Sequence, residues 1–445
     1  MIGGGWAGCA AAVTLAQVGV PVTLFEQSAT LGGRARRVLL DGKIVVDNGQ
    51  HLLVGAYRQT LDLIGVVHGR DGVADLFSRL PLTLQPFGMH RPGVVALAAW
   101  PVRAPFHLAG ALVTARGLSW RHRLALFKTV RDLARAGFRC SREQTVAECF
   151  SSTPPSIITA LWEPLCLAAL NTPPARASAE VFLHVLREAL AGPAAPSDFL
   201  VPARDLSACF PDAVARFAAE RGSCVRTGVA VRAVDGHPDR VTVRAGGSDE
   251  DYAGTIVAVA PHQLRRTIGP AAAAADGWRE PLQRVSAFAY ESITTVYLRF
   301  ATPLRMRAPL LRLDDAPGQW IFRHAARVST PAEQDGSPVY AVVISAGGPH
   351  DEVGHSELVD AVVGQLQRLA PDLPRILWSR VIAERRATYA CTPGLLRPRP
   401  GRIVPRVYLA GDYTDPELPA TLEAATRSGV AAAQALIADG HHRLA

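Results

Sequence analysis

The chain has 445 residues, 49% of them hydrophobic and 19% charged, with a formal net charge of +8. That size exceeds one simple core and predicts two domains, and the apolar content excludes a disordered chain. The basic balance, with a pI of about 9.4, suits an anionic lipid surface, and no nucleic-acid motif accompanies it.

The first 25 residues carry no charged side chain. No basic n-region precedes them, and glycines and Pro21 break the run, which argues against a signal peptide or spanning helix. Instead, Ile2 leads into Gly3-Gly4-Gly5-Trp6-Ala7-Gly8 and a small-residue helix through Val18, and Pro21 to Glu26 reads as a strand. This is GxGxxG at a strand-to-helix turn, with an acid closing the second strand. Gly3 permits the tight turn, Gly5 lets a pyrophosphate approach the backbone, and Gly8 lets helix and strand pack closely. The helix N-terminus offers N–H groups to phosphates, and Glu26 takes the ribose hydroxyls. Only Met1 and Ile2 precede the glycines, whereas a strand usually needs about five or six residues. The expectation is a chain that begins several residues late and binds its nucleotide more weakly than one extended upstream.

Leu31-Gly32-Gly33-Arg34-Ala35-Arg36 follows, then Asp47-Asn48-Gly49-Gln50-His51 running on to Tyr57. Between Pro92 and Gly117 the only charges are Arg103 and Arg116, and Pro101 and Pro105 interrupt the stretch. It cannot cross a bilayer as one helix. From Trp120 to Gly137, Trp120, Leu124, Phe127, Val130 and Ala134 recur at helical spacing, with Arg121, Lys128, Arg131 and Arg135 on another face. This is a basic amphipathic helix for an anionic leaflet, or a core helix with a solvated basic face. Leu161-Trp162-Glu163-Pro164 opens a further apolar run to Pro173.

Cys224 to Val234 is strand-like, as are Arg240 to Val243 and Thr255 to Pro261. Val407 to Asp412 is a short apolar strand ending in Gly411-Asp412, and Leu418 to Ala425 starts a small-residue helix to Ile437. The seven cysteines are odd in number and scattered without a CxxC. They suit neither a disulfide framework nor a zinc site, which predicts a reducing, cytoplasmic setting. The histidines form no metal-ligand cluster, so no metal is expected.

Leu31 to Arg36 resembles the second glycine motif of the FAD-dependent amine oxidase and carotenoid desaturase superfamily. The resemblance implies an α/β fold, a Rossmann-type FAD-binding domain with an interleaved α+β substrate domain. Residues 1–80, 200–262 and 395–445 would form the FAD-binding domain. Residues 81–199 and 263–394 would form the substrate domain, with membrane-facing helices within 92–137. In that superfamily the Gly32-Gly33 backbone and Arg34 contact the diphosphate and the flavin side. A valine backbone lies against the adenine; Val231 matches best, with Val229 a rival. Asp412 after Gly411 bonds the ribityl or phosphate region. The helix beginning near Thr421–Leu422 points its N-terminus at the isoalloxazine, favouring reduced flavin.

Asp47 to Tyr57, Leu161 to Pro173 and Leu418 to Ala425 together resemble the squalene-associated FAD-dependent desaturases, the hydroxysqualene dehydroxylases of bacterial squalene and hopanoid synthesis. The resemblance covers essentially the whole chain; the short start and Tyr413, where Trp is expected, depart from it. It implies an isoprenoid lipid substrate, loss of water from hydroxysqualene and hydride transfer from reduced flavin to give squalene. The catalytic acid stays open among Asp47, His51 and Glu163, each with a structural role as the competing reading. A carotenoid or phytoene-type desaturase, or another isoprenoid oxidase, would run the flavin in the opposite direction. A non-catalytic lipid-binding flavoprotein is a rival of another class. An amine oxidase would need an aromatic cage, of which Tyr413 supplies one wall and no partner is found. No second nucleotide fingerprint occurs, so a separate electron donor is expected. Location at the inner face of the membrane is expected as well.

Overall fold

In the computed structural model, a parallel sheet is assembled from distant parts of the chain. Thr23–Glu26 pairs with Cys224–Thr227, and Thr255–Val257 pairs with Val407–Leu409. Ile2 stands between them, bridged in parallel to Phe25 and to Val257. Its N–H donates to the Ile256 carbonyl at 2.9 Å, and its own carbonyl accepts from Ala258 at 2.8 Å. The first strand is thus reduced to a residue or two yet holds the central position of the Rossmann order. Gly401–Val404 adds an antiparallel edge. The structure describes residues 1–42, 44–70, 72–88, 94–100, 102, 106–190, 197–324, 327–328 and 338–442. Of the apolar arm read from the sequence, Pro92, Pro101, Arg103 and Pro105 lie outside them.

The sheet is covered by the helices Trp6–Gln17 and Leu422–Ala438, which pack on each other through small residues. A Cβ on Gly429 would lie 2.1 Å from the Ala7 carbonyl oxygen, so the two backbones touch with nothing between them. The helix Arg58–His68 adds to this layer.

A second sheet is antiparallel, in the order Leu310–Arg312, Trp320–His324, Val339–Ser345, Tyr290–Phe300, Ile376–Tyr389. Alternation sorts its side chains between two cores. Val296 and Leu298 pack with Val362 and Leu366 of the helix His355–Leu369. Tyr297 and Val343 face the opposite way, into a core shared with Phe182 and Trp162. Trp162 ends a π-helical turn, Ile158–Trp162, that runs into the helix Glu163–Leu170. Such turns recur at functional sites.

One difference from the sequence reading has a local cause, and one alternative left open there is narrowed. Cys224 to Val234 is two strands in different sheets, because Gly228 takes φ 72° and turns the chain between Thr227 and Val231. The helix Trp120–Arg135, capped by the Ser119 hydroxyl accepting from His122 N–H at 3.3 Å, is not a core helix. Leu126 is buried, but Trp120, Leu124 and Phe127 are 71%, 67% and 60% exposed. No helix among the described residues is long and apolar enough to cross a membrane.

Candidate active site

Two glycine turns meet edge to edge beneath the first helix. Gly3 takes φ 98° and lies against the Ala258 carbonyl, and a Cβ on Gly8 would sit 1.9 Å from the Gly3 oxygen. The Gly32 N–H donates to the Gly4 carbonyl at 2.8 Å, and a Cβ on Gly33 would come within 3.1 Å of the Gly5 Cα. Gly5 precedes Trp6–Gln17, and no side chain caps this N-terminus. Its amides are left for an anion, in the field of the helix dipole. Glu26 is buried, with one oxygen accepting from Gly4 N–H at 2.7 Å and the other from Ser28 N–H at 2.8 Å. The backbone thus fixes the carboxylate at the rim of the cradle.

Arg34 and Asp412 close the other side. The guanidinium donates to an Asp412 oxygen at 2.5 Å and to the Ala387 carbonyl at 2.6 Å. Gly411 takes φ 151° and donates its N–H to the Ser428 hydroxyl at 3.0 Å. Thr421 caps the helix Leu422–Ala438, accepting from Ala424 N–H at 3.1 Å. A glycine cradle, an uncapped helix start, an acid at the second strand and an arginine-held aspartate fit a dinucleotide carrying a diphosphate. Val231 and Val229 both line the cavity here.

A cavity of about 1310 Å³ extends from this cradle, and Gly3, Gly5, Glu26, Gly32, Gly33, Arg34, Gly411, Asp412 and Leu422 are on its wall. Gly8 is not, which accords with its packing role. Small-molecule pockets run to about 300–1,000 Å³, so this one has room for a nucleotide and a second large ligand. Away from the cradle the wall is apolar, including Leu84, Leu126, Trp162, Phe182, Trp320 and Phe322.

Of the three titratable candidates, the cavity takes His51. Its Nδ1 lies 2.8 Å from the Gly49 carbonyl, so that nitrogen carries the proton and Nε2 is the remaining polar atom. Burial, with the Arg34 charge adding to it, pulls its pKa below the ordinary value. Asp47 and Glu163 are absent from the cavity wall. Asp47 is turned into the protein, where one oxygen accepts at 2.8 Å from the N–H of Leu206, the first residue of the short helix Leu206–Cys209 that Asp205 caps. Burial pushes its carboxyl up to about 8. Glu163 occupies the first turn of Glu163–Leu170, a helix-dipole position.

The sequence reading passed over three residues. Glu384 and Arg386 line the cavity with Ile382 and Thr388, every second residue of one long strand. The Asn48 amide N–H lies 3.5 Å from Glu384 and donates to the Arg34 carbonyl at 3.2 Å. Charged residues at alternate strand positions read as a solvent face, and only tertiary packing reveals which face is wet. Glu423 is buried in the first turn of Leu422–Ala438 and accepts from Gln59 N–H, Thr60 N–H and the Thr60 hydroxyl at 2.8–3.0 Å. It clamps the start of Arg58–His68 to that helix.

The chain is similar to known proteins over nearly its whole length. It is 29% identical to the hydroxysqualene dehydroxylase of Rhodopseudomonas palustris over 459 residues, covering 99% of this chain and 98% of that one. The same enzyme of Sinorhizobium fredii is 26% identical, with 99% and 98% covered. Among solved structures, an oxidoreductase from Methanosarcina mazei superimposes with a TM-score of 0.71 over 97% of this chain and 98% of that one, at 15% identity. The model of the family described as flavin containing amine oxidoreductase matches residues 6–437. The cradle and these likenesses agree: the chain belongs to the flavin-containing amine oxidoreductase family and is an FAD-dependent oxidoreductase.

Proposed function

We propose that this protein is a hydroxysqualene dehydroxylase, reducing hydroxysqualene to squalene in squalene or hopanoid synthesis. The observation that carries the reading is a single cavity that begins at the FAD cradle and continues between apolar walls. Its relatives of that name support the choice of isoprenoid. The FAD-binding unit is 1–80, 200–262 and 395–445, and the substrate unit is 81–199 and 263–394.

In this reading Gly3, Gly5, Gly32, Gly33, Arg34 and Asp412 hold the diphosphate and ribityl chain, Gly8 seats the helix behind them, and Glu26 holds the ribose. Val231 lies against the adenine, and the Leu422 helix start faces the flavin ring. Bound in its reduced form, FAD supplies the hydride that replaces the allylic hydroxyl. The substrate's C–O bond breaks, and its oxygen leaves as water after taking a proton. The apolar wall aligns the chain and excludes bulk water, which keeps an allylic cation from being recaptured. Protonated His51 delivers the proton through Nε2, with the Gly49 carbonyl holding the ring in place. A separate donor re-reduces the cofactor, and the protein works at the cytoplasmic face of a membrane.

The test is anaerobic mixing of photoreduced, FAD-loaded protein with hydroxysqualene, followed by flavin absorbance and mass spectrometry. Stoichiometric reoxidation with squalene appearing is expected. No reoxidation, together with bleaching of the oxidised protein by squalene or phytoene, would replace this reading with a desaturase.

A further inference from the structure

Eleven large apolar side chains stand in solvent among the described residues, and six of them fall between Trp100 and Phe127. Scattered singly they would be ordinary, but these adjoin one another. The Trp100 ring lies against Gly110 of the helix Phe106–Thr114, and its indole N–H donates to the Thr114 hydroxyl at 3.3 Å. Arg123 ties the next helix to the same place, donating to the Val113 carbonyl and, at 2.7 Å, to the Ala115 carbonyl. Its guanidinium also lies 5.0 Å from the Trp120 ring centroid.

The helix Trp120–Arg135 has an inner and an outer apolar edge. Leu126, Val130 and Ala134 line the cavity, as do Ala111 and Leu112 of the neighbouring helix. Trp120 and Leu124 project outward and are absent from the cavity wall. Phe127 belongs to both edges, lining the cavity while 60% exposed. The cavity wall therefore reaches the surface inside the apolar patch.

The charge around the patch has one dominant sign. Between positions 106 and 143 the chain carries eight Arg or Lys against Asp132 and Glu143. Arg121, Lys128 and Arg135 are exposed, and Arg131 is paired with Asp132 at 3.0 Å. Exposed Trp, Leu and Phe beside Arg and Lys on one helix match an element that lies in the plane of a membrane interface. Basic residues near an anionic leaflet add electrostatic attraction to this apolar contact.

We propose that this patch docks on an anionic glycerophospholipid leaflet, with Trp120–Arg135 lying in the interface, and that the lipid substrate enters the cavity beside Phe127 without crossing water. Entry of an isoprenoid rests on the function proposed above; docking does not.

The experiment is flotation of the FAD-loaded protein with phosphatidylcholine vesicles, with and without about a third phosphatidylglycerol. Trp120→Ser/Leu124→Ser and Arg121→Glu/Lys128→Glu are compared, and retained flavin absorbance checks their folding. The wild type is expected to float with anionic vesicles and to lose binding as salt rises. Each double variant should bind on the order of tenfold more weakly or worse. Trp120→Ser/Leu124→Ser should turn over vesicle-borne hydroxysqualene slowly, yet match the wild type on substrate delivered from cyclodextrin. Equal flotation on both vesicle types, or by all variants, overturns the docking. So does a wild-type dimer that the Trp120→Ser/Leu124→Ser change converts to monomer without affecting flotation, because a second copy then covers the patch. Flotation as expected with no turnover from cyclodextrin would leave the docking standing and remove the dehydroxylase reading.

Discussion

Asp47 holds a proton that the unfolded chain releases near the usual 3.8, because burial moves its folded pKa to about 8. With the folded value raised, the stability from this group is full below about pH 4 and is lost as pH rises towards about 8. Asp47→Asn keeps an acceptor for the Leu206 N–H and removes the titration. Its thermal midpoint should exceed the wild type's by a margin that widens over that window; a constant margin would place the effect in packing instead. His51 carries the opposite sign. Its lowered pKa means that the charged ring, which proton delivery needs, forms only on the acid side of the ordinary value. Under anaerobic single turnover the rate should climb as pH falls, and His51→Gln should slow it roughly a hundredfold and flatten the profile. A slow variant with the wild-type profile would move the acid elsewhere, with Glu384 next to be examined. At the proposed cofactor cradle, Arg34→Ala leaves Asp412 buried and without its ion pair. FAD should bind roughly ten- to a hundredfold more weakly, read by dialysis against graded FAD, and Arg34→Lys should recover part of the loss.

At the scale of elements, the helices Trp6–Gln17 and Leu422–Ala438 depend on bare backbone. Gly429→Ala places a methyl into the Ala7 carbonyl and should cost about 1–3 kcal/mol, measured by denaturant unfolding of the apo-protein. Such contacts explain what was legible. Gly3, Gly8, Gly32 and Gly33 answer to local requirements, a turn or a close approach, and local requirements leave marks on consecutive residues. Glu384 and Arg386 answer to which side of a strand the rest of the protein leaves open, and nothing nearby in sequence records that. His51 and Asp47 were indistinguishable as titratable members of one stretch. In the structure His51 reaches the cavity and Asp47 turns inward onto Leu206. The helix Trp120–Arg135 was visible from its spacing, but which of its apolar residues stay in solvent is decided by tertiary packing.

For the whole molecule, the length of the apolar cavity sets which substrates fit. Ala169, in the last turn of the helix Glu163–Leu170, lines it, and Ala169→Phe would fill part of that space. Turnover of hydroxysqualene should fall by tenfold or so, with a shorter allylic isoprenoid alcohol affected less, by the methylene-scale energetics of apolar pockets. Equal losses would indicate a distorted site. The central sheet has its own consequence. Ile2 is flanked by Phe25 and Val257, and Val257 is paired in turn with Leu409. During synthesis the opening residues must wait for strands hundreds of positions downstream. Closing contacts of such separation is slow, and the waiting helices are apolar on the faces they will later bury. FAD loading is then an event that follows completion of the chain, because the strands that build the cradle come from its two ends and its middle.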